Sequence, residues 1–222
     1  MSTPTIAVFT RTTGYRHESI PRGVDAFREL GAEHRFDVSA TEDPEELAAA
    51  LPDCAAVVFL STSGEVLTDP TREALRRYLA DGGAFVGVHA AACTEYQWPW
   101  YGESLVGAVF DGHPDLQPGV VAVEDHDHPA TAHLGERWEF TDEWYNFTAN
   151  PRGRVRVLAS ADESSYTGGR MGADHPLVWC HENAGGRSFY TALGHTDESY
   201  ADPAFRAHLL GGLRWAARWP QP

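Results

Sequence analysis

The chain has 222 residues, 17 Lys and Arg against 32 Asp and Glu, and a formal charge of −15. So acidic a chain is repelled by phosphate backbones and anionic bilayers, which excludes nucleic acid and membrane as expected partners and leaves neutral or cationic small molecules. Three cysteines without paired spacing, Cys54, Cys93 and Cys180, exclude a disulfide framework or thiolate zinc site, and MSTPTIAVFTRTTGYRH lacks the basic-then-apolar pattern of a signal, so a cytoplasmic setting is expected.

The first half alternates short apolar runs with amphipathic segments, the pattern of a parallel sheet covered by helices on both faces. TIAVFT (5–10) is the first predicted strand. IPRGVDAFREL follows as a helix whose Ile20, Val24, Phe27 and Leu30 share one face, with Gly31 as its expected stop. RFDVSA is the second strand, and Asp43, Pro44 and Glu46 form a capping-box start for the helix EELAAAL. AAVVFLS (55–61), apolar throughout as a central strand must be, is the third. A helix opened by Asp69 and Pro70 runs to the glycines of REALRRYLADGG, and AFVGVH (84–89) is the fourth strand. Its end points at the crevice where open α/β sheets hold ligands.

The second half is less regular. Residues 90–153 read as an insert of loops rich in His, Trp, Asp and Gly, with VVAVED (120–125) and RVRVLAS (154–160) as strands framing it. PLVWCHE and RSFYTAL, joined by residues 183–186, read as a hairpin, and a last helix from Asp202 and Pro203 buries Phe205, Leu209 and Leu213. With no repeat and no linker, residues 1–222 are expected to form a single domain.

Polar residues collect where predicted strands end: Tyr15 and His17 after the first, Glu95, Tyr96, Trp98 and Trp100 after His89, and His195 and Asp197 after the late strand. Strand ends converge in space even when distant in sequence. FTRTTGYRHESI, GVHAAACTEYQWPWYGESLVGAVFDGHP, TDEWYNF and GADHPLVWCHENAGGRSFYTALGHTDESYADPAFRAHLLGGLRWAA together resemble the ThuA-like family, named for trehalose utilisation, over nearly the whole chain. The resemblance implies an α/β, flavodoxin-like fold related to class I glutamine amidotransferases: a parallel sheet flanked by helices, with a loop-rich insert and a C-terminal hairpin. In amidotransferases the turn after the equivalent strand carries a catalytic cysteine and a later strand a His-x-Glu pair. Here His89 stands at the first place and His195-Thr196-Asp197 at the second.

An imidazole cannot form the thioester that glutamine hydrolysis needs, and Cys93 lies four residues too far along the turn, so amidotransferase chemistry is not expected. What His89 offers is acid–base capacity near neutral pH, or a neutral nitrogen for a metal. The expected catalytic set is His17, His89 and His195 with Glu95 and Glu143 as carboxylate partners. The expected substrate-binding set is Tyr15, Tyr96, Trp98, Trp100, His113, Trp144, Tyr145 and Asp197, since flat rings among polar groups suit the C–H faces and hydroxyls of a sugar. Each has a bland alternative: rings that fix the insert to the sheet or form an oligomer interface, His113 as a turn residue, Asp197 as a cap, and His126 and His128 as an exposed turn. His17, His89, His113 and His195 come from separate loops, which leaves a divalent metal open with no spacing motif to settle it. The expected function is that of a carbohydrate-catabolism enzyme, an isomerase or lyase shifting a proton beside the carbonyl of a sugar or keto sugar. Glycoside hydrolysis has less support, because no spacing sets two carboxylates across a bond. The alternative is a noncatalytic sugar-binding or regulatory module on the same scaffold, and a homo-oligomer is left open.

Overall fold

The computed structural model describes residues 3–220. The first half contains β1 (Thr5–Phe9), α1 (Ile20–His34), β2 (Asp37–Thr41), α2 (Pro44–Ala50), β3 (Ala56–Leu60), α3 (Asp69–Ala80) and β4 (Ala84–Val88). The second contains β5 (Phe110–Gly112), β6 (Gln117–Val123), β7 (Arg137–Asp142), β8 (Asn146–Phe147), β9 (Arg156–Ala161), β10 (Pro176–His181), β11 (Arg187–Thr191), α4 (Asp197–Ala201) and α5 (Pro203–Ala216). Nine strands form one sheet in the order β2-β1-β3-β4-β11-β10-β9-β6-β7, and β5 pairs with β8 apart from it.

The sheet is parallel from β2 through β11 and antiparallel from β11 to β7. Strand order reverses direction after β2. Right-handed crossovers therefore place α1 on one face and α2 and α3 on the other. α4 and α5 join α1, and α5 lies across β4 and β11. β3 and β4 are buried along their whole length, as strands covered on both faces must be. From α1, Ile20, Val24, Phe27 and Leu30 enter the core, and from α5, Phe205, Leu209 and Leu213; each such burial contributes about 1.5–3 kcal/mol. Asp43 caps α2 by accepting from the Glu45 and Glu46 N–H groups, and Asp202 caps α5 by accepting from Ala204 and Phe205. No helix among the described residues is long and apolar enough to cross a membrane.

Three expectations are corrected. Gly31 does not stop α1, which continues to His34 and ends on Arg35 at φ 66°; the missing side chain instead lets the Phe36 carbonyl pass, where a Cβ would stand 2.4 Å from its oxygen. The insert is not all loop. RWEFTD alternates exposed and buried as β7, one of the sheet's two edge strands, with Trp138 and Phe140 turned inward. His128 is buried rather than part of an exposed turn, its ring packed between Phe189 and Trp215, whereas His126 is exposed as expected.

Candidate active site

Three parallel strands deliver histidines to one place. His17 lies in the loop after β1, His89 directly follows β4 and His195 follows β11. These are carboxyl ends of the sheet, where side chains of neighbouring strands leave the ladder pointing the same way. His89 makes the strand-to-turn corner at φ 51°, a left-handed conformation that a side-chain-bearing residue rarely adopts. The corner is held by the Tyr190 hydroxyl, which donates to the His89 carbonyl at 2.9 Å, and by the His89 Nδ1 hydrogen bond to the Ala192 carbonyl at 2.7 Å. His17 is tied in through Ser19, whose hydroxyl donates to the His195 carbonyl at 2.7 Å.

Glu143 arrives from the far edge of the sheet. The residue before it, Asp142, is fully buried and accepts from the Gly194 N–H at 2.7 Å and from the Glu143 N–H at 2.8 Å. One carboxylate thereby clamps the end of β7 to the turn carrying His195. Burial of Asp142 raises its pKa, opposed by His89 and by these backbone N–H groups.

The result is a cluster of His17, His89, His195 and Glu143 whose ligand atoms all lie within 4.8 Å of one another. His89 Nε2 is 3.1 Å from His17 Nε2, 3.3 Å from His195 Nδ1, 3.6 Å from Glu143 Oε2 and 2.9 Å from the Tyr145 hydroxyl. His195 Nδ1 and Glu143 Oε2 are 3.1 Å apart. Burial, then the neighbouring His89 and His195, pushes His17 down to about 3, so it is a neutral imidazole at physiological pH. For His195 burial works in the same direction, but the Glu143 carboxylate outweighs it and the pKa rises. Burial would raise Glu143; the adjacent His195 and His89 rings overrule it and hold the group well below the usual carboxylate range. Three imidazoles and one carboxylate are a donor set able to hold a divalent transition metal.

Around this centre the expected residues divide. Tyr145 touches His89 through its hydroxyl, and His113 stacks on Tyr145 with Nε2 3.5 Å from Glu143 Oε2. Tyr15, edge-on to His17, is 66% exposed. It lines a cavity of about 270 Å³ with Leu116, His195 and Asp197. Asp197 sits in the first turn of α4, where Thr196 and not Asp197 is the cap. Tyr96 is an exposed ring on the same loop as Cys93, whose thiol it meets. Burial pushes that thiol up to about 12, the opposite of an activated nucleophile. Four larger cavities among the described residues, of about 410, 450, 520 and 610 Å³, carry no histidine; that of about 520 Å³ adjoins the Tyr15 cavity through Thr196 and Glu198.

Four expected site residues are not brought to the cluster. Glu95 is buried and occupied: Oε1 accepts from the N–H groups of Val66 and Leu67 at 2.7 and 2.8 Å, and Oε2 pairs with Arg72 at 2.6 Å. It organises the turn into α3. Trp98 and Trp100 stack on each other at 4.8 Å and lie under the guanidinium groups of Arg72 and Arg76 from α3, which fixes the insert to the helix. Trp144 has no exposed surface; its ring stacks on Tyr166, covers Gly119 where a Cβ would stand 2.5 Å away, and donates through Nε1 to the Gln117 carbonyl. A buried indole has no face left for a sugar. Conversely, sequence reasoning missed Asp142, whose only signal is the Asp-Glu doublet at the end of an alternating strand. His175, which the GADHP motif offered either as lining the same mouth or as fixing a turn before the hairpin, is buried behind the site: it donates from Nε2 to the Tyr145 carbonyl at 2.7 Å while Nδ1 meets Glu163 at 2.8 Å.

The fold and the site can be set beside known proteins. A thua-like protein of Bacteroides uniformis is 27% identical with a TM-score of 0.81, over 97% of this chain and 91% of that one. A thua-like protein of Parabacteroides merdae is 21% identical with a TM-score of 0.79, over 98% and 90%. A β-galactosidase of Bacillus circulans shares the fold at 15% identity and a TM-score of 0.62, over 96% of this chain but 31% of its own. No curated protein matches. The ThuA family, described as trehalose utilisation, matches residues 5–216, and the chain belongs to that family.

Proposed function

We propose that the protein is an enzyme of carbohydrate catabolism that moves a proton beside the carbonyl of a sugar or keto sugar, in the manner of an isomerase or lyase. The observation that supports this most is the meeting of His17, His89, His195 and Glu143 at the carboxyl edge of the sheet, beside a cavity rimmed by Tyr15 and Leu116. Family membership supplies the carbohydrate context.

A C–H next to a ketone gives up its proton when a base is in reach and the developing enolate oxygen is stabilised. His113 is the base in this reading. Its Nδ1 lies 2.7 Å from the Pro114 carbonyl, an oxygen that can only accept, so in the neutral ring the proton sits on Nδ1 and the lone pair on Nε2. That nitrogen faces Glu143. His195, whose charged form Glu143 favours, supplies positive charge to the enolate oxygen, and the Tyr145 hydroxyl, kept protonated by burial, is the nearest neutral donor. Tyr15 offers an exposed ring for the sugar's C–H face.

The test is a panel of sugars and keto sugars incubated with the enzyme in deuterated water and followed by NMR. The expected result is exchange or conversion at a carbon next to a carbonyl, lost in a His113→Ala variant that still binds the same sugar. Binding of a sugar by the wild type without exchange or conversion of any compound overturns the reading in favour of a noncatalytic module.

A further inference from the structure

We infer that His17, His89, His195 and Glu143 form a binding site for one divalent first-row transition ion of the zinc type. His89 Nδ1 faces the Ala192 carbonyl at 2.7 Å; that oxygen only accepts, so the neutral ring carries its proton there and presents a single lone pair at Nε2. Around that one lone pair stand the Tyr145 hydroxyl at 2.9 Å, His17 Nε2 at 3.1 Å, His195 Nδ1 at 3.3 Å and Glu143 Oε2 at 3.6 Å. One lone pair accepts one good hydrogen bond. Further imidazole nitrogens and a carboxylate turned toward the same point repel it unless positive charge lies between them; a proton on His195 bridges one pair, whereas a metal ion engages all four groups at once.

The spacing agrees. Ligands about 2.0–2.1 Å from a tetrahedral zinc are about 3.3 Å from one another. Four of the six separations within the set, 3.1, 3.1, 3.3 and 3.6 Å, bracket that value, and all six lie within 4.8 Å. Three nitrogens and one oxygen suit a borderline ion and argue against calcium or magnesium, which take oxygen ligands. The Ala192 carbonyl on His89 Nδ1 is the outer partner that fixes a ligating imidazole in its tautomer. The formal charge of −15 favours cation capture over anion capture. An ion here would face the substrate oxygen in place of the His195 proton, while His113, outside the ligand set, remains the base. The inference shares its site with the proposed function and needs no sugar, so the two stand or fall separately.

The full chain, stripped with a chelator and dialysed, is titrated with zinc and with cobalt(II). Bound ion is measured by elemental analysis and calorimetry, and the cobalt form by visible absorption. One ion per chain and a cobalt spectrum of nitrogen–oxygen ligation are expected. His89→Ala and Glu143→Gln should weaken binding by at least about tenfold, the least expected even for losing an outer partner. His126→Ala, at an exposed position, should bind as the wild type does. Absence of stoichiometric uptake by the stripped wild type overturns the inference. So does wild-type affinity in either site variant with an unchanged thermal midpoint. Should His89→Ala fail to fold, the isosteric Glu143→Gln carries the test.

Discussion

Replacing Trp144 by alanine separates a structural indole from a sugar platform. The side chain is fully buried, stacked on Tyr166 at 4.8 Å, laid on the backbone of Gly119, and bonded to the Gln117 carbonyl at 3.1 Å. Deleting a buried tryptophan costs about 3–5 kcal/mol through lost burial and the cavity left behind. Leaving the Gln117 carbonyl without its donor adds about 1 kcal/mol. With a urea m-value of about 2 kcal/mol/M, a loss of about 4 kcal/mol moves the unfolding midpoint down by about 2 M. Trp144→Phe keeps a ring against Tyr166 and loses the N–H, so its cost is about 1–2 kcal/mol. Equilibrium urea unfolding by fluorescence and circular dichroism gives both numbers, and ion uptake reports whether the cluster survives. A Trp144→Ala protein within about 1 kcal/mol of the wild type that has lost sugar binding would refute the reasoning and return the indole to the substrate site.

Further expectations concern other buried groups. His128 and His208 are buried, each with an Nε2 that finds no hydrogen-bond partner, and burial lowers them to about 4 and about 3 from an ordinary 6.5. The unfolded chain therefore binds protons that the folded one does not. The stability is fully present above pH 6.5 and is lost as pH falls from there toward the folded values, at about 1.4 kcal/mol per pH unit for each group. Urea midpoints measured from pH 7.5 down to 5 should fall in the wild type and fall less in His128→Phe; equal slopes would discard the account. Glu95→Ala leaves two buried N–H groups and Arg72 without their acceptor, and should cost about 3 kcal/mol in thermal or urea unfolding. Because Glu95 is outside the cluster, the folded variant should still take up its ion, and loss of uptake at unchanged stability would show the opposite.

The local signals in this chain are strong. Asp43-Pro44 and Asp202-Pro203 start helices because a carboxylate can accept the first free N–H groups wherever the helix finally packs. The apolar runs AVVFL and AFVGV are central strands because nothing else tolerates burial on both faces. His17, His89 and His195 could be expected to meet, since each follows a strand and parallel strands end together. RWEFTD carried a period-two signal that the loop-like composition around it concealed.

Side-chain destinations in the insert were not legible, because a ring's partner there lies far along the chain. Trp144 and Tyr145 are adjacent, yet one fills the core beside Tyr166 and the other meets His89, as opposite sides of the same backbone face different neighbours. Glu95 and Glu143 look alike in sequence; backbone N–H groups from residues 66 and 67 claim one, and the Asp142 clamp on Gly194 delivers the other to the histidines. Local signals sufficed for the parallel strands, the helix caps and the residues able to do chemistry, because propensity, periodicity and capping act within a few positions. Tertiary structure alone decided which carboxylate and which rings face the histidines, because that choice depends on close contacts between segments whose separation along the chain carries no local trace.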